Sequence, residues 1–587
     1  MRIRHLSISN FRGIKELDWF INGTNICLIG PNNSTKTTIL DAIECVLSPK
    51  WNLIFSDTDF YQLNPANTIK IVVSVSDIPD KLLKIYNLGG YIWALKADNS
   101  FGEPDDKTTD GDCLLRICLT VDRNLEPMWE ALGHSDKTRI SAADRELLGM
   151  SRVNTYVDRD FSWGKNTPLT RITQDDATVN LAEMGRTARD ALKTNPLTDL
   201  DKVAEEVEKF VKPYGVKIEN KLRAGLDPDS TSLGRGNLIL HDGEIPVYQY
   251  GLGSKRLISI AMQKSITKNG AIVLIDEIEH GLEPYRLCQL VRFIRPFPQK
   301  MATNAGYIAQ TFFTSHSVSV LMELQVTELY VVRSINGMTS VKQFEKQFQP
   351  FMRSSPQAFL SPRIIVCEGP TEVGLLRAVD KLWIENHNGL GMTSNGITLI
   401  DGKGSTMTEY AQKLRSLGYE VLIFGDADTD MEQKRDALEK ENIKVILWAN
   451  EAYTEMRLLL DIPIVALKNV FIYLFMEHGE DDLLNSIRDK LKNKLGNIVN
   501  LPQPFTKDDL FDLLEEPDRE KNIKIREALA TIANPSKSKG KGKGTAWFKR
   551  TDLAENVGDC FVNELNQVSS SDLAQKFGEI EKWVYGS

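Results

Sequence analysis

A chain of 587 residues is too long for one hydrophobic core, so about three or four structural units of ~100–200 residues each are expected. Its 42% hydrophobic and 26% charged residues are ordinary for a soluble globular protein, and no apolar run approaches the ~20 residues that cross a bilayer. The formal charge of −9 argues against a globally basic nucleic-acid coat but leaves local Lys and Arg placement free to bind phosphates.

The start, Met1-Arg2-Ile3-Arg4-His5-Leu6, lacks the apolar core of a signal peptide, so a cytoplasmic location is expected. The seven cysteines fall mostly in apolar segments without CxxC spacing, which predicts reduced, packed thiols.

Residues 2–9 read as a strand, and Asn10-Phe11-Arg12-Gly13 turns the chain. Asn25-Ile26-Cys27-Leu28-Ile29 is a short continuous apolar run, expected of a strand covered on both faces, and residues 37–47 follow as a helix. Residues 85–112 are polar, acidic and glycine-bearing, which predicts an exposed insertion. Over 178–224 the pattern is helical: Leu181, Met184, Ala188 and Leu192 share one face, and Val203, Val207, Phe210 and Val211 another. An inserted arm that dimerises and ordinary helices covering a sheet both fit.

Strands follow at 271–275, 311–314 and 329–332, then a hinge at Ser354-Ser355-Pro356 through Ser361-Pro362. Beyond it strands at 364–367, 397–400, 421–424 and 445–448 alternate with helical stretches at 373–384 and 407–417, a second α/β sheet. From about residue 465 the pattern is mainly helical. It includes Lys537, Lys539, Lys541 and Lys543 among Ser and Gly before Trp547-Phe548-Lys549-Arg550, a basic loop suited to a phosphate backbone or a solvated linker.

The segment Gly30-Pro31-Asn32-Asn33-Ser34-Thr35-Lys36-Thr37, with Thr38 beside it, lies between strand and helix as a P-loop does. Backbone N–H groups there surround phosphates, Lys36 reaches the outer ones and the Thr37 hydroxyl faces Mg²⁺. Thr35 stands where this pattern has glycine, so the turn either tolerates a Cβ or slows turnover. Asp276-Glu277 ends an apolar strand, one carboxylate for Mg²⁺ and the other for orienting water. Gly281-Leu282-Glu283-Pro284 follows, and Ser315-His316-Ser317 ends the next strand, where an imidazole can sense a γ-phosphate. Tyr250-Gly251-Leu252-Gly253-Ser254-Lys255-Arg256 opens a helix whose backbone donors suit the nucleotide of a second subunit.

Behind the hinge, Glu368 ends one strand and Glu372 lies one turn into the next helix. Asp426 and Asp428 end another strand, with Asp430 nearby. Carboxylates at the carboxyl ends of adjacent parallel strands suit divalent metal and phosphodiester cleavage. A DxD alone is also a common strand-ending loop.

With Phe11-Arg12-Gly13, the front motifs resemble the RecF/SMC branch of ABC ATPases over roughly residues 1–350, which implies that Arg12 touches the nucleotide and that two heads meet around it. The rear acids resemble the Toprim fold, and the fusion resembles the OLD (overcoming lysogenization defect) nucleases over nearly the whole chain. That resemblance implies an ATP-binding DNA endonuclease using Mg²⁺ or Mn²⁺, with Glu455 and Lys549 completing the metal site. It also implies a homodimer or higher oligomer and a role in bacterial anti-phage defence. Some members work with a companion protein or with a retron reverse transcriptase and its msDNA.

The expected organisation is an α/β ABC ATPase domain (1–177 and 236–353) with a helical insertion (178–235), a Toprim core (354–465) and a helical C-terminal region (466–587). A nucleic-acid-binding ATPase clamp with a non-catalytic Toprim domain is the alternative. The topoisomerase and primase readings find no second domain presenting a nucleophilic tyrosine and no zinc-binding cysteines.

Overall fold

The computed structural model describes residues 1–586 except 86–87, 106–111, 154–156, 165–166, 175–197, 227–237, 266–270, 296–307, 428, 497–498, 500 and 535–545. Contacts divide the chain into two units, Met1–Pro356 and Gln357–Ser587. No helix among the described residues is long and apolar enough to cross a membrane.

Among the described residues, the first unit is built on one fourteen-stranded mixed sheet. Its parallel part runs in the order Met150–Val153, Ala271–Ile275, Ile308–Thr314, Asn25–Ile29, Leu329–Ile335. Asn25–Ile29 is buried at every position, as its unbroken apolar run demands of a central parallel strand. The helix Lys36–Leu47 buries Ile39, Leu40, Ile43, Val46 and Leu47, a helical spacing that turns one face to the core. The sheet continues through Met338–Gln343, Ile14–Phe20, Arg2–Phe11, Ile69–Ser76 and Cys113–Val121.

Part of the expected insertion at 85–112 is an edge of this sheet, in the strands Ile92–Leu95 and Phe101–Gly102. Aromatic side chains hold it there against the polarity of the segment. The Trp93 indole donates to Leu132 O at 2.7 Å, and the Arg116 guanidinium lies 4.1 Å from the Phe101 ring centroid.

Of the helical stretch at 178–224, Leu181, Met184, Ala188 and Leu192 lie outside the described residues. The helix Thr198–Val211 buries Val203, Val207 and Val211 beside a three-stranded sheet of Leu222–Leu226, Leu238–Asp242 and Ile245–Pro246. Its acids satisfy the edge strand: Leu222 N donates to Glu208 Oε2 at 3.1 Å and Ala224 N to Asp201 Oδ1 at 2.9 Å. Within the described residues this helix covers a sheet, and its carboxylates close an edge that would otherwise offer open N–H groups.

The second unit carries four parallel strands in the order Ile397–Asp401, Arg363–Cys367, Glu420–Gly425, Lys444–Leu447. The C-terminal helices share one core with this sheet: Phe471, Leu529, Trp547, Phe548 and Phe577 join Phe424 and Trp448. Two glycines set the closest approach. A Cβ on Gly374 of the helix Pro370–Asn386 would lie 2.4 Å from Thr551 O, and one on Gly558 of the helix Thr551–Asp559 would lie 2.4 Å from Ala378 Cβ. That seam brings the Trp547-Phe548-Lys549 segment beside the Glu368-to-Glu372 turn, where Thr371 Oγ1 donates to Phe548 O at 3.2 Å.

Candidate functional site

In the first unit the segment from Gly30 wraps the start of the helix Lys36–Leu47. Gly30 has φ 149°, and a Cβ there would fall 2.5 Å from Val332 O, so glycine is required. Asn33 and Thr35 both take left-handed backbone, with φ 63° and 69°. For the β-branched Thr35 that conformation costs about 1–3 kcal/mol, a departure that local contacts hold in place. Its hydroxyl donates to Ser34 O at 2.6 Å, and its methyl occupies the side of Gly13, where a Cβ would meet Thr35 Cγ2 at 3.2 Å. Thr35→Gly is expected to relieve the strain and tighten ATP binding several-fold, with hydrolysis rising in parallel; nucleotide titration and phosphate release measure both, and unchanged values would mean that the strained turn is fully tolerated.

Lys36 is buried and folds over its own loop, donating to Gly30 O at 2.9 Å and Pro31 O at 2.8 Å. Burial pulls its ammonium down to about 8, a shift that Asp276 partly opposes. Asn32, Asn33 and Thr37 are exposed on the same turn, and Thr38 is half-buried. Asp276 Oδ1 accepts from Thr314 Oγ1 at 2.6 Å, and the same oxygen of Thr314 receives Glu277 N at 2.7 Å, so one threonine fixes the Asp276 carboxylate and the Glu277 backbone. Burial, then the charge of Lys36, holds the His316 imidazole below its ordinary value and therefore neutral at pH 7. Its backbone N donates to Glu279 Oε1 at 2.6 Å.

The helix Leu252–Ser265 is locked to this end of the sheet. Arg256, fully buried, donates to Asp276 O at 2.7 Å, Glu277 O at 2.7 Å and His280 O at 3.0 Å. Gly253 packs so closely that a Cβ would lie 2.2 Å from Gly281 O, and Ser254 Oγ accepts from Arg286 at 3.3 Å. Arg12 pairs with Asp41 at 2.5 Å and Asp59 at 2.9 Å. Sequence reasoning missed Thr314, Asp41 and Glu279, and quoted Arg256 only as the end of the Tyr250-to-Arg256 segment. Thr314, directly before Ser315-His316, was the one within reach, since a strand-ending hydroxyl beside a strand-ending acid is a local pattern.

In the second unit Glu368 and Asp426 end the two central strands, and Glu368 Oε2 accepts Asp426 N at 2.7 Å. Gly425 is needed between them, because a Cβ there would lie 2.8 Å from Glu368 Cβ. Glu372 accepts Gly369 N at 2.8 Å and Thr454 Oγ1 at 2.5 Å; Asp426 Oδ1 accepts Thr454 N at 2.9 Å. The buried Thr454, itself receiving the Trp448 indole N–H at 2.8 Å, is thus the hinge of the cluster, and no sequence signal singled it out. Glu455 is buried and accepts Asn534 Nδ2 at 2.9 Å. Lys549 is exposed, and its charge partly offsets the burial that raises the Glu455 carboxyl.

Two expected ligands fall differently. Asp430 points to solvent and pairs with Lys434 at 2.5 Å, one turn along its own helix, so it does not join the other acids. Asp428 and Lys537 to Lys543 lie outside the described residues.

Burial, then repulsion from Asp426, pushes Glu372 up to about 8, with Glu455 and Glu368 adding to it. Among the described residues no three His, Cys, Asp or Glu side chains are already gathered at ion-holding distance. The acids instead hold backbone and hydroxyl donors, which a cation must displace. An all-carboxylate oxygen set fits Mg²⁺ or Mn²⁺ and not a soft metal.

The sign of the pH effect follows. A carboxyl raised in the folded state binds more protons than in the unfolded chain between about 4.5 and 8, so metal-free stability falls as pH rises through that window. Thermal melts in EDTA at pH 6 and 8.5 should show this decline, with Mn²⁺ reversing it and Glu372→Gln flattening it. A melt indifferent to pH in EDTA would contradict the arrangement.

Fold and site together define an α/β ATPase head joined in one chain to a Toprim domain with a helical C-terminal region. Family comparison agrees. Residues 77–323 match "AAA domain, putative AbiEii toxin, Type IV TA system", residues 1–110 match "AAA ATPase domain", and residues 359–428 match "Overcoming lysogenization defect protein-like, TOPRIM domain". The chain thus joins ATPase-domain matches to an OLD-like TOPRIM match.

Solved structures similar to it include an SMC head bound to the C-terminal winged-helix domain of ScpA, at 15% identity and TM-score 0.37 over 59% of this chain and 99% of that one. The SMC head domain of Thermotoga maritima is 14% identical, with TM-score 0.29 over 59% of this chain and 100% of that one. An Smc head with an extended coiled coil, bound to the C-terminal domain of ScpA derived from Pyrococcus furiosus, is 12% identical, with TM-score 0.34 over 60% and 99%. No curated protein matches the chain.

Proposed function

We propose that the chain is a DNA endonuclease of the OLD type, dependent on Mg²⁺ or Mn²⁺, whose activity is gated by ATP in its head. The observation that carries this reading is the network that joins Glu368, Asp426 and Glu372 through Asp426 N and Thr454 beside the carboxyl ends of parallel strands, with Glu455 near enough to act on Glu372 by its charge and Lys549 near enough to act on Glu455. When bound, the divalent ions lower the pKa of water and polarise the phosphodiester. Thr454 sets the carboxylates that hold them, Glu455 is fixed by Asn534, and Lys549 faces the charge that grows on the scissile phosphate. Asp428 completes the ligand set by its place in the DxD.

In the head, Asn32, Asn33, Ser34, Thr35, Lys36, Thr37 and Thr38 bind the phosphates, Asp276 holds Mg²⁺, Glu277 orients water and His316 reads the γ-phosphate. Gly253 and Ser254 act on the nucleotide of a second copy, so the working form is a homodimer or larger. A cytoplasmic role in anti-phage defence is part of this reading by resemblance to the OLD nucleases alone. Supercoiled DNA incubated with the protein, with Mn²⁺, Mg²⁺ or EDTA and with or without ATP, tests the reading. Nicked or linear product is expected only with metal. ATP-dependent DNA binding without metal-dependent cleavage would instead assign a clamp.

A further inference from the structure

Arg152 lies on Met150–Val153, the end strand of the parallel part of the sheet, and no motif called attention to it. Its Nη2 is 3.0 Å from Asp41 Oδ1 and 3.6 Å from Asp276 Oδ2, and its Nε is 4.0 Å from Glu44 Oε2. The side chain is only 9% exposed, and Nη1 is buried without a hydrogen-bond partner among the described residues. An unpaired buried N–H is costly, more so on a charged group. The fold carries that cost where Asp41 already has Arg12 as a partner at 2.5 Å. Arg12, Asp41, Arg152 and Asp276 therefore form one line of alternating charge, running from the Phe11-Arg12-Gly13 turn to the carboxyl end of the strand Ala271–Ile275.

We propose that Arg152 is a positioning residue of the nucleotide site, which aims Asp276 at the divalent cation of the nucleotide and links it through Asp41 to Arg12. The inference rests on the reading of Asp276 as the cation-side carboxylate. Asp276 Oδ1 is held by Thr314, so Oδ2 is the oxygen left for a cation, and it faces Arg152. Of the two contacts made by Nη2, the 3.6 Å one to Asp276 is looser than the 3.0 Å one to Asp41. Asp276 would thus pass from Arg152 to a bound cation while the guanidinium stays anchored to Asp41. Arg152 keeps the carboxylate oriented until then.

The test is titration of a fluorescent ATP analogue into the full chain, once in saturating Mg²⁺ and once in EDTA. Arg152→Gln is expected to weaken binding about tenfold in Mg²⁺ and less than about twofold in EDTA, with Arg152→Lys recovering part of the loss. A merely structural role would lower both arms together; equal losses in both, or none in either, overturn the proposal. Should Arg152→Gln fail to fold, Asp41→Asn reads the same line from its other end and should show a smaller loss, again confined to Mg²⁺. Asp276→Asn separates the two failures. If it leaves the Mg²⁺ dependence intact, the reading of Asp276 is wrong; if it removes that dependence while Arg152→Gln does not, only the role of Arg152 is wrong.

Discussion

Asp426→Asn should abolish metal-dependent DNA cleavage, by on the order of 10³-fold or more, while the protein keeps its fold and its ATP affinity. The size follows from charge. Asp426 ends a central strand, and its neighbours Glu372, Glu455 and Glu368 form the cluster proposed to hold a divalent ion, a hold that would depend on every carboxylate in it. The fold should survive because an asparagine oxygen can still accept Thr454 N–H, the contact Asp426 makes at 2.9 Å. Removing this charge also removes the largest repulsion on Glu372, so the decline of metal-free stability with pH should flatten in the variant. Gel assays on supercoiled DNA, with melts in EDTA, give both readouts. Wild-type cleavage by Asp426→Asn would end the assignment of the metal site.

Lys36→Ala should weaken ATP binding by about 100-fold, since charged hydrogen bonds to phosphate contribute about 1.5–3 kcal/mol each and Lys36 is placed to make more than one. The resting contacts sharpen this expectation. Lys36 now donates to Gly30 O and Pro31 O, so the variant loses both of these loop contacts as well as the phosphate contact. Because burial brings the free ammonium down to about 8, the form that binds ATP is depleted above that pH. Wild-type affinity should therefore fall as pH rises through 8, with proton uptake on binding, and Lys36→Ala should be flat over the same range. Calorimetry in buffers of different ionisation enthalpy measures the uptake. Affinity that is unchanged in the variant would remove the P-loop reading.

The alternation of apolar runs and helical stretches gave both α/β units and the turn after Gly30, because a buried parallel strand needs an unbroken apolar run and a phosphate loop needs its own residues in order. The four acids of EGxxE and DxD were legible for the same reason, since Glu368, Asp426 and Asp428 follow strands, and Glu372 opens a helix, that the pattern itself marks. Asp430 shows the limit of that logic: proximity along the chain placed it with the acids, yet one helical turn supplies Lys434 as its partner and turns it to solvent. Residues 85–112 show another, where a polar composition concealed the aromatic contacts of Trp93 and Phe101 that pin an edge strand.

What the sequence alone determined was the kind of chemistry at each end of the chain, because motif residues lie within a few positions of one another and carry their geometry locally. Tertiary structure alone decided which groups hold that chemistry in place. Thr454 binds Glu372 across 82 positions, Arg152 reaches Asp41 across 111, and Thr314 reaches Asp276 across 38. Such partners are chosen by packing between distant strands and helices, where an ordinary threonine or arginine acquires a role from the carboxylate it meets and not from its neighbours in the chain.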